Sequence, residues 1–504
     1  MNLTGLLKPI FDKRIVAARN WERNTEAVQR GQLAWLLSRA RSTAIGEEFG
    51  FGLISDYETF ASRVPLMPYE RIRPMVMRMV DGARDQLWPG VTRRFAQSSG
   101  TSDGRSKYIP VTDDSLRRCH YAGGRDVVAH YLDMYPDSRI FSGRSFILGG
   151  SFANELKLRP GVRVGDLSAN LIDAINPLVN LVRIPSKRIA LMTDWAEKLP
   201  ALVEAASHCD VTNISGVPSW FLTVLKGVLE HTGATTIHDV WPRLEVFFHG
   251  GISFDPYREQ YRAITDPARM RYVETYNASE GFFAVQDSRD SHDMLMLMDA
   301  GVFYEFMPVE DVGSPEPRLI PAWKVEAGRT YALVITACNG LWRYPIGDTV
   351  EVRGVDPVRI VIAGRTKCYI NAFGEELMVH NAEAAMARTC AELDCAVADY
   401  TAAPVYAGDR SRGRHEWMIE FSRPPVSVEE FADRLDLNLQ AENSDYQAKR
   451  SHGLFLDRLS VVVARHGLFD DWLASTGKLG GQRKVPRLSN DRILMQRLIS
   501  LNEG

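Results

Sequence analysis

The sequence predicts an α/β protein. It comprises a large N-terminal domain with β-α-β sheets and a β-barrel-like part, and a smaller, mobile α+β C-terminal domain. The chain has 504 residues, more than one ordinary hydrophobic core organises, so at least two domains are expected. Helical and apolar strand-like runs alternate through its middle, which is typical of α/β architecture. The pattern changes near 362–366, and we therefore place the large domain at 1–363 and the small one at 364–504.

Composition and charge limit the possible functions. Hydrophobic residues make up 45% of the chain and charged residues 24%, which is ordinary for a globular protein. The net charge of -3 gives no reason to expect nucleic-acid or membrane binding. No stretch reaches the roughly 18 apolar residues that cross a bilayer. The six cysteines form no Cys-x-x-Cys pair, and no two histidines have metal-ligand spacing along the sequence. A reducing, cytoplasmic location is therefore expected.

Periodicity predicts the individual elements. Apolar residues recur at helical spacing through the first 45 residues, and helices are also predicted over 202–206 and 221–229. Apolar runs predict strands over 92–97, 108–111, 244–248, 271–275 and 333–336. Between 294 and 352, short β-rich segments separated by glycine and proline predict an antiparallel or barrel-like part. In the C-terminal region the pattern predicts helices over 381–393 and 428–437 and strands over 417–421 and 459–463.

A loop rich in serine and glycine lies between the first two predicted strands. Residues 98–107 read Ser-Ser-Gly-Thr-Ser-Asp-Gly-Arg-Ser-Lys. Small residues let the backbone approach an anion closely, hydroxyls add donors, and Lys107 adds a positive charge at the end of the loop. The segment lacks the Walker A pattern. A solvated hairpin turn is the alternative, but the residue types favour a phosphate-binding loop.

The same loop contains a rival motif. Gly100-Thr101-Ser102-Asp103-Gly104 matches the Gly-x-Ser-x-Gly nucleophile elbow of α/β-hydrolases, and His249-Gly250-Gly251 resembles an oxyanion-hole motif. An elbow leads into a helix, however, whereas 106–111 is strand-like and contains a proline. The His-Gly-Gly motif also follows the serine, whereas hydrolases place it before. A serine hydrolase using Ser102 is therefore kept as a minor alternative.

Three further segments have residue types that suit a nucleotide site. In Tyr-Asn-Ala-Ser-Glu-Gly, 276–281, the tyrosine can stack on a purine and the glutamate can coordinate Mg²⁺. In Tyr-Pro-Ile-Gly-Asp, 344–348, an aspartate on a glycine turn can accept hydrogen bonds from ribose hydroxyls. The third, 478–488, is basic and contains two glycines. Taken singly, the first two are equally compatible with ordinary turns and the third with solvated surface.

Together and in this order, the four segments resemble the auxin-responsive Gretchen Hagen family of acyl-acid amido synthetases, within the adenylate-forming superfamily. Gly364-Arg365 and Ala372–Leu377 are similar to bacterial members. The resemblance covers nearly the whole chain and implies an ATP-dependent, AMP-forming ligase. Such an enzyme converts a carboxylic acid into an acyl-adenylate and then into an amide with an amine, here expected to be an amino acid.

The resemblance implies roles for several residues around the phosphates of ATP. Ser98, Ser99 and Thr101 would hold phosphates, and Lys484 would reach in from the small domain to the α-phosphate and acyl oxygens. Lys484 is thus the candidate catalytic lysine. The ATP site is expected to include also Ser102, Lys107, Asn277, Ser279 and Arg365.

The rest of the nucleotide and the metal are assigned in the same way. Tyr276 would stack on adenine, with the backbone of Gly250 and Gly251 nearby. Glu280 would bind Mg²⁺ and act in catalysis, and Asp348 would bind the ribose. Four apolar residues come from segments that could line the acyl pocket, although apolar positions of this kind are more often plain core: Phe152, Val217, Trp220 and Phe248.

The expected partners are small molecules, and the chain is expected to be a monomer or a weak homo-oligomer. Plant members of the family usually carry Arg-Val where this chain has Pro345-Ile346, and Ser-Ser where it has Ala278-Ser279. The resemblance therefore supports the reaction type and not a plant-hormone substrate. The main alternative is an acyl ligase that delivers the adenylate to a thiol of coenzyme A or a carrier protein. A non-catalytic nucleotide-binding protein is the third class.

Overall fold

A computed structural model describes residues 3–98, 107–152, 154, 156, 158–251, 254, 257–365, 369–370, 377–405, 413–443, 446–447, 450, 456–475, 485–489 and 491–503. The helices in these residues are α1 Thr4–Trp21, α2 Thr25–Ala40, α3 Ala44–Glu48, α4 Tyr57–Arg63, α5 Tyr69–Val80, α6 Tyr121–Met134, α7 Leu167–Ala174, α8 Lys187–Ala190, α9 Trp195–Ser207, α10 Pro218–Thr232, α11 Ile237–Val240, α12 Arg258–Ile264, α13 Val379–Glu392, α14 Val428–Glu442, α15 Leu468–Ser475 and α16 Ile493–Glu503. Within these ranges, no helix has both the length and the apolar character that a membrane crossing requires.

The strands of the described chain form one large sheet and three small ones. Their bounds are β1 Arg94–Ser98, β2 Lys107–Pro110, β3 Arg144–Ile147, β4 Arg163–Gly165, β5 Arg183–Ile184, β6 Val211–Gly216, β7 Val246–Gly250, β8 Arg271–Ala278, β9 Gly281–Val285, β10 Met294–Met296, β11 Val302–Pro308, β12 Ile320–Pro321, β13 Thr330–Ala337, β14 Leu341–Val355, β15 Val358–Arg365, β16 Tyr369–Ile370, β17 Leu377–Met378, β18 Ala396–Val405, β19 Arg414–Arg423 and β20 Ser460–Ala464. The large sheet has the order β12-β11-β13-β14-β15-β10-β9-β8-β7-β6-β3-β5.

The large sheet changes character along its width. Strands β5, β3, β6, β7 and β8 pair in parallel, with helices in the connections between them. Beyond β8, the pairs β8–β9, β9–β10, β10–β15 and β11–β13 are antiparallel. The predicted α/β class and the antiparallel character of 294–352 are thus confirmed. The barrel-like part stays a prediction; β10 pairs with β9, so these strands belong to the same large mixed sheet.

Aromatic and aliphatic side chains fill the space between the parallel strands and their helices. Phe247 on β7 lies 5.4 Å from the ring of Phe221 on α10, and Phe146 on β3 lies 5.0 Å from Phe221. Buried Trp241 donates its indole N–H to the carbonyl of Ala206 at 3.0 Å, which fixes the last turn of α9 to this core. Burying these rings holds the carboxyl ends of β3, β6 and β7 in a fixed arrangement.

The described chain divides into two compact units. Met1–Ile346 and Glu351–Val361 form the bulk of the first, and Gly347–Val350 with Ile362–Leu479 and Arg483–Gly504 form the second. The second contains the sheet β18-β19-β20, in which β18 and β19 are antiparallel and β19 and β20 are parallel. Helices α13 and α14 share its apolar core. The predicted small C-terminal region thus contains both helices and a sheet, and its mobility stays a prediction. The domain boundary at 363/364 stays a prediction.

Candidate functional site

The strands on either side of the serine- and glycine-rich loop form an antiparallel hairpin. Ser98 pairs with Lys107 at its open end, and β1 also pairs in parallel with β4. The predicted loop residues Ser99, Thr101 and Ser102, and the side chain of Ser98, lie outside the described residues. Because β2 is a strand paired to β1, the strand-turn-helix geometry of a nucleophile elbow is not formed at 107–110. This removes the structural support for a serine hydrolase.

Lys107 is held by two aromatic rings at the base of this loop. Its ammonium donates to the hydroxyl of Tyr344 at 3.1 Å and lies 5.6 Å from that ring's centroid. It also lies 5.8 Å from the ring of Tyr69, whose hydroxyl accepts the backbone N–H of Tyr108 at 2.8 Å. Burial raises the pKa of Tyr69 to about 12, so its ring stays neutral. The phosphate-loop motif and the Tyr-Pro-Ile-Gly-Asp motif are therefore linked through one cation.

The Gly250 position lies at the carboxyl edge of the parallel strands. Gly250 pairs with Thr275 of β8, and a Cβ at Gly250 would lie 2.3 Å from the Thr275 carbonyl oxygen. Only glycine fits there without moving backbone. Gly251 has φ +81°, a left-handed conformation that also favours glycine. Two side-chain-free residues thus expose backbone where ligands of α/β sheets bind.

His249, which precedes these glycines, points into the core. It is 4% exposed, and its ring stacks on Phe254 with centroids 4.4 Å apart. Burial lowers the pKa of His249 to about 3, and the positive charge of Arg258 acts in the same direction. The histidine is therefore neutral at neutral pH.

The hairpin between β8 and β9 carries three predicted nucleotide residues and the predicted metal ligand. Ala278 pairs with Gly281, so Ser279 and Glu280 form its two-residue turn. Tyr276 is 4% exposed, and its ring meets Phe283 edge-on with centroids 5.0 Å apart. Glu280 is 6% exposed, and Asn277 lies on β8 beside a register shift. Their roles toward adenine and Mg²⁺ stay predictions.

Two neighbouring elements fix this hairpin. The buried amide of Asn339 donates to the carbonyl oxygen of Glu280 at 2.9 Å. The sulfur of Cys119, in the π-helical turn Ser115–His120, accepts the backbone N–H of Phe282 at 3.1 Å. Burial raises the pKa of the Cys119 thiol to about 12, so it is a neutral packing partner. Asn339 was missed by sequence analysis because Cys-Asn-Gly is an ordinary turn sequence.

The remaining ATP residues lie on strands of the antiparallel half. Asp348 is buried on β14. It follows Gly347, whose φ of +95° is a left-handed conformation that favours glycine. Arg365 is the last residue of β15. The predictions for the Arg365 side chain and for Lys484 lie outside the described residues.

The four predicted acyl residues come from one edge of the sheet. Phe248 lies within β7 and pairs with Ser215 of the parallel strand β6, and Val217 directly follows β6. Val217 precedes α10, whose first turn carries half-buried Trp220, and Phe152 follows β3 at the same edge. Phe248 is 7% exposed and packs edge-on against Tyr131 of α6. Its contacts are those of a core residue, and the assignment of all four to a pocket stays a prediction.

A buried lysine at this edge was not predicted. Lys198 on α9 is 2% exposed and donates to the carbonyl oxygens of Gly149 and Gly150 at 2.6 and 3.3 Å. Burial lowers the pKa of Lys198 to about 8, partly offset by the negative charge of Asp166. Asp166 accepts the backbone N–H of Ser151 at 2.7 Å, so the two residues fix the turn that leads to Phe152. The available signal was a lysine four residues before buried Leu202, on the apolar face of its helix.

Comparison with known families identifies the chain. The sequence matches the GH3 family N-terminal domain over residues 15–270, the GH3 family central domain over 295–365 and the GH3 family C-terminal domain over 380–493. The chain belongs to the GH3, or Gretchen Hagen, family of acyl acid amido synthetases in the adenylate-forming superfamily. The family resemblance stated from the motifs is confirmed. The amido synthetases of this family are ATP-dependent, AMP-forming ligases.

Individual relatives agree with this assignment. The chain is 23% identical to indole-3-acetic acid-amido synthetase GH3.3 of Arabidopsis thaliana, covering 95% of this chain and 92% of the relative. Its structure is similar to that of AtGH3.15 acyl acid amido synthetase in complex with 2,4-DB, with a TM-score of 0.80, 18% identity and coverage of 97% and 95%. The fold is also similar to 2-hydroxyisobutyryl-CoA ligase in complex with 2-HIB-AMP, with a TM-score of 0.61, 14% identity and coverage of 94% and 92%.

Proposed function

We propose that this protein activates a small carboxylic acid with ATP as an acyl-adenylate and transfers the acyl group to an amine, with amino acids as the acceptor class. Support comes from family membership and from a relative, matched over nearly its whole length, that is named an amido synthetase. One structural observation carries the proposal. Gly250 lies directly beside the β8 strand of Tyr276, and the turn at the end of that strand presents Glu280.

The donors at this edge fit ATP. Gly251 lies exposed just after β7, where its backbone can meet a nucleotide, and Lys107 supplies a cation at the base of the loop that we assign to the phosphates. We assign adenine to Tyr276 and the ribose hydroxyls to Asp348.

The carboxylate of Glu280 is the proposed ligand of Mg²⁺. Oxygen donors are those that this hard cation prefers, and Glu280 sits on a turn fixed by the Asn339 amide. Bound Mg²⁺ would neutralise charge on the phosphates of ATP. Fixing the turn keeps the carboxylate in place before the nucleotide binds, which lowers the cost of organising the site.

Adenylation solves a problem of electrophilicity. A carboxylate repels nucleophiles and has a poor leaving group, but attack of its oxygen on the α-phosphorus of ATP expels pyrophosphate and yields a mixed anhydride. An amine then attacks the acyl carbon, the C–N bond forms as the C–O bond to AMP breaks, and the amine loses a proton. Charge develops on phosphate oxygens in the first step, so positioned cations and N–H donors carry the catalysis.

We assign Lys484 to the first of these steps. A lysine has a compact charge on a flexible stem, so it can meet the negative charge that develops on the phosphate and acyl oxygens during adenylation. Lys484→Ala is expected to slow acyl-adenylate formation by roughly 10²-fold or more, comparable to losing an oxyanion donor. Amide formation from supplied acyl-adenylate should be spared. Equal loss in both steps would contradict the assignment.

The experiment that tests the reaction is ATP–pyrophosphate exchange with a panel of carboxylic acids, followed by amino acids on the best acid. Exchange that depends on acid and Mg²⁺, and an amide product, are expected. Glu280→Gln should lower the exchange rate at saturating acid because the metal loses a charged ligand. Exchange without amide but with a coenzyme A thioester would identify an acyl ligase instead. Nucleotide binding without exchange for any acid would refute adenylation.

A further inference from the structure

An exposed cluster of three metal-ligating side chains lies on two packed helices, at their carboxyl ends. Glu204 and His208 are four residues apart at the end of α9, and His231 lies in the last turn of α10. One carboxylate oxygen of Glu204 is 3.2 Å from Nε2 of His208, and the other is 3.3 Å from Nε2 of His231. All three residues have one ligand atom within 4.8 Å of the others. We call these residues the α9/α10 histidine cluster.

The donor set and its spacing fit a transition-metal dication. Zinc binds imidazole nitrogen and carboxylate oxygen at about 2.0–2.2 Å, so tetrahedral ligands around it lie about 3.3 Å from one another. The two Glu204–histidine distances, one to each carboxylate oxygen, are close to this separation. Two imidazoles and one carboxylate favour Zn²⁺, Ni²⁺ or Cu²⁺ over Mg²⁺ or Ca²⁺, which prefer oxygen ligands only. Water would complete the coordination on the exposed side.

The scaffold under the cluster is rigid and electrostatically favourable. Leu202 and Val228, on the buried faces of the two helices, belong to the same apolar core. Trp241 anchors the carbonyl of Ala206, two residues before His208. Both helices end at the cluster, α9 at Ser207 and α10 at Thr232, so the negative ends of two helix dipoles face a bound cation. Fixed backbones and matched charge reduce the cost of assembling the three ligands.

We propose that the α9/α10 histidine cluster binds one transition-metal dication of the Zn²⁺ class and joins the ends of α9 and α10. This site is separate from the proposed ATP and acyl sites. His208 and His231 are 23 positions apart in the sequence, so spacing along the chain does not reveal them. A hydrogen-bonded Glu–His pair without metal affinity is the competing explanation, and it makes a different prediction for binding.

The test uses the full-length protein, treated with chelator and titrated with ZnCl₂ by calorimetry and by thermal unfolding. One saturable equivalent and a rise in unfolding temperature are expected. His208→Asn and His231→Asn should each weaken binding roughly tenfold or more, because each removes a ligand. The matched control His292→Asn changes an exposed histidine outside the cluster and should leave this binding unchanged.

The three substituted side chains are exposed, so the variants should fold, and circular dichroism verifies this. Absence of saturable zinc binding in the wild type overturns the proposal. Zinc affinity equal to that of the wild type in a double variant carrying His208→Asn and His231→Asn also overturns it. Neither result bears on the exchange reaction, so the two proposals fail independently.

Discussion

The buried imidazole of His249 should make the stability of the protein fall in mild acid. The ring stacks on Phe254, and its Nδ1 is buried with no hydrogen-bond partner among the described residues. Burial lowers the pKa of His249 to about 3, whereas an unfolded histidine has a pKa of about 6.5. Between these values the unfolded chain binds a proton that the folded chain does not. The free energy of unfolding therefore decreases as pH falls through this range.

The size of the effect follows from the difference in proton binding. At pH 5 the unfolded imidazole is about 1.5 pH units below its pKa, while the folded ring is still neutral. At about 1.36 kcal/mol per pH unit, the free energy of unfolding at pH 5 is about 2 kcal/mol lower than at neutral pH. The loss continues to grow until the pH approaches the folded pKa. His120 is similarly buried, with its pKa lowered to about 4 by burial, and contributes a comparable loss at pH 5.

Urea unfolding at pH 7 and pH 5 measures this loss by comparison of the wild type with His249→Phe. Phenylalanine keeps an aromatic ring against Phe254 but cannot bind a proton. The comparison uses the unfolding transition whose midpoint the substitution changes. In that transition, the free energy of unfolding of the wild type should fall by about 2 kcal/mol more than that of the variant between pH 7 and pH 5. The comparison cancels all other titrating groups. Equal losses in both proteins would refute the reasoning, because they would mean that His249 titrates alike in the folded and unfolded chains.

Three further substitutions test the candidate site. Asn339→Ala removes the amide that holds the carbonyl of Glu280 and should cost about 1–3 kcal/mol in thermal stability and lower exchange activity; full retention of both would make this contact dispensable. Tyr344→Phe removes the hydroxyl that accepts from Lys107 but keeps the ring, and should weaken ATP binding by about 1.5 kcal/mol, roughly tenfold; an unchanged ATP affinity would contradict the link between the two motifs. Asp348→Ala should weaken ATP by about 1.5–3 kcal/mol, and the ribose-deoxy analogue should then bind wild type poorly and the variant no worse than ATP; unchanged affinity would leave the turn purely structural.

Local pattern was sufficient to predict many of the elements. Predicted strands at 271–275 and 333–336 lie within β8 and β13, and predicted helices at 381–393 and 428–437 overlap α13 and α14. These elements show strong periodicity, which is a property of neighbouring residues. Strand order is not a local property, so the position of β10 between β9 and β15 could not be derived from the sequence.

The candidate site shows the same division. Ordered motifs marked the family, and glycine at 250 follows from a close approach to β8 that only the paired strands reveal. The contact between Lys107 and Tyr344 joins residues 237 positions apart, and Lys198 reaches carbonyls 48 and 49 positions away. Such pairs depend on tertiary packing, and no periodicity in one segment predicts them.

The aromatic support of Lys107 bears on how this enzyme can be re-engineered. The lysine is the last residue of the serine- and glycine-rich loop, and its partners Tyr69 and Tyr344 come from a helix and a strand elsewhere in the first unit. If this loop were moved into a relative, it would therefore keep a charged and oriented base only if Lys107, Tyr69 and Tyr344 were moved with it. The loop sequence and the residues at its base are thus separate design variables, and libraries that randomise the loop while keeping Lys107, Tyr69 and Tyr344 would preserve the positive charge at its base.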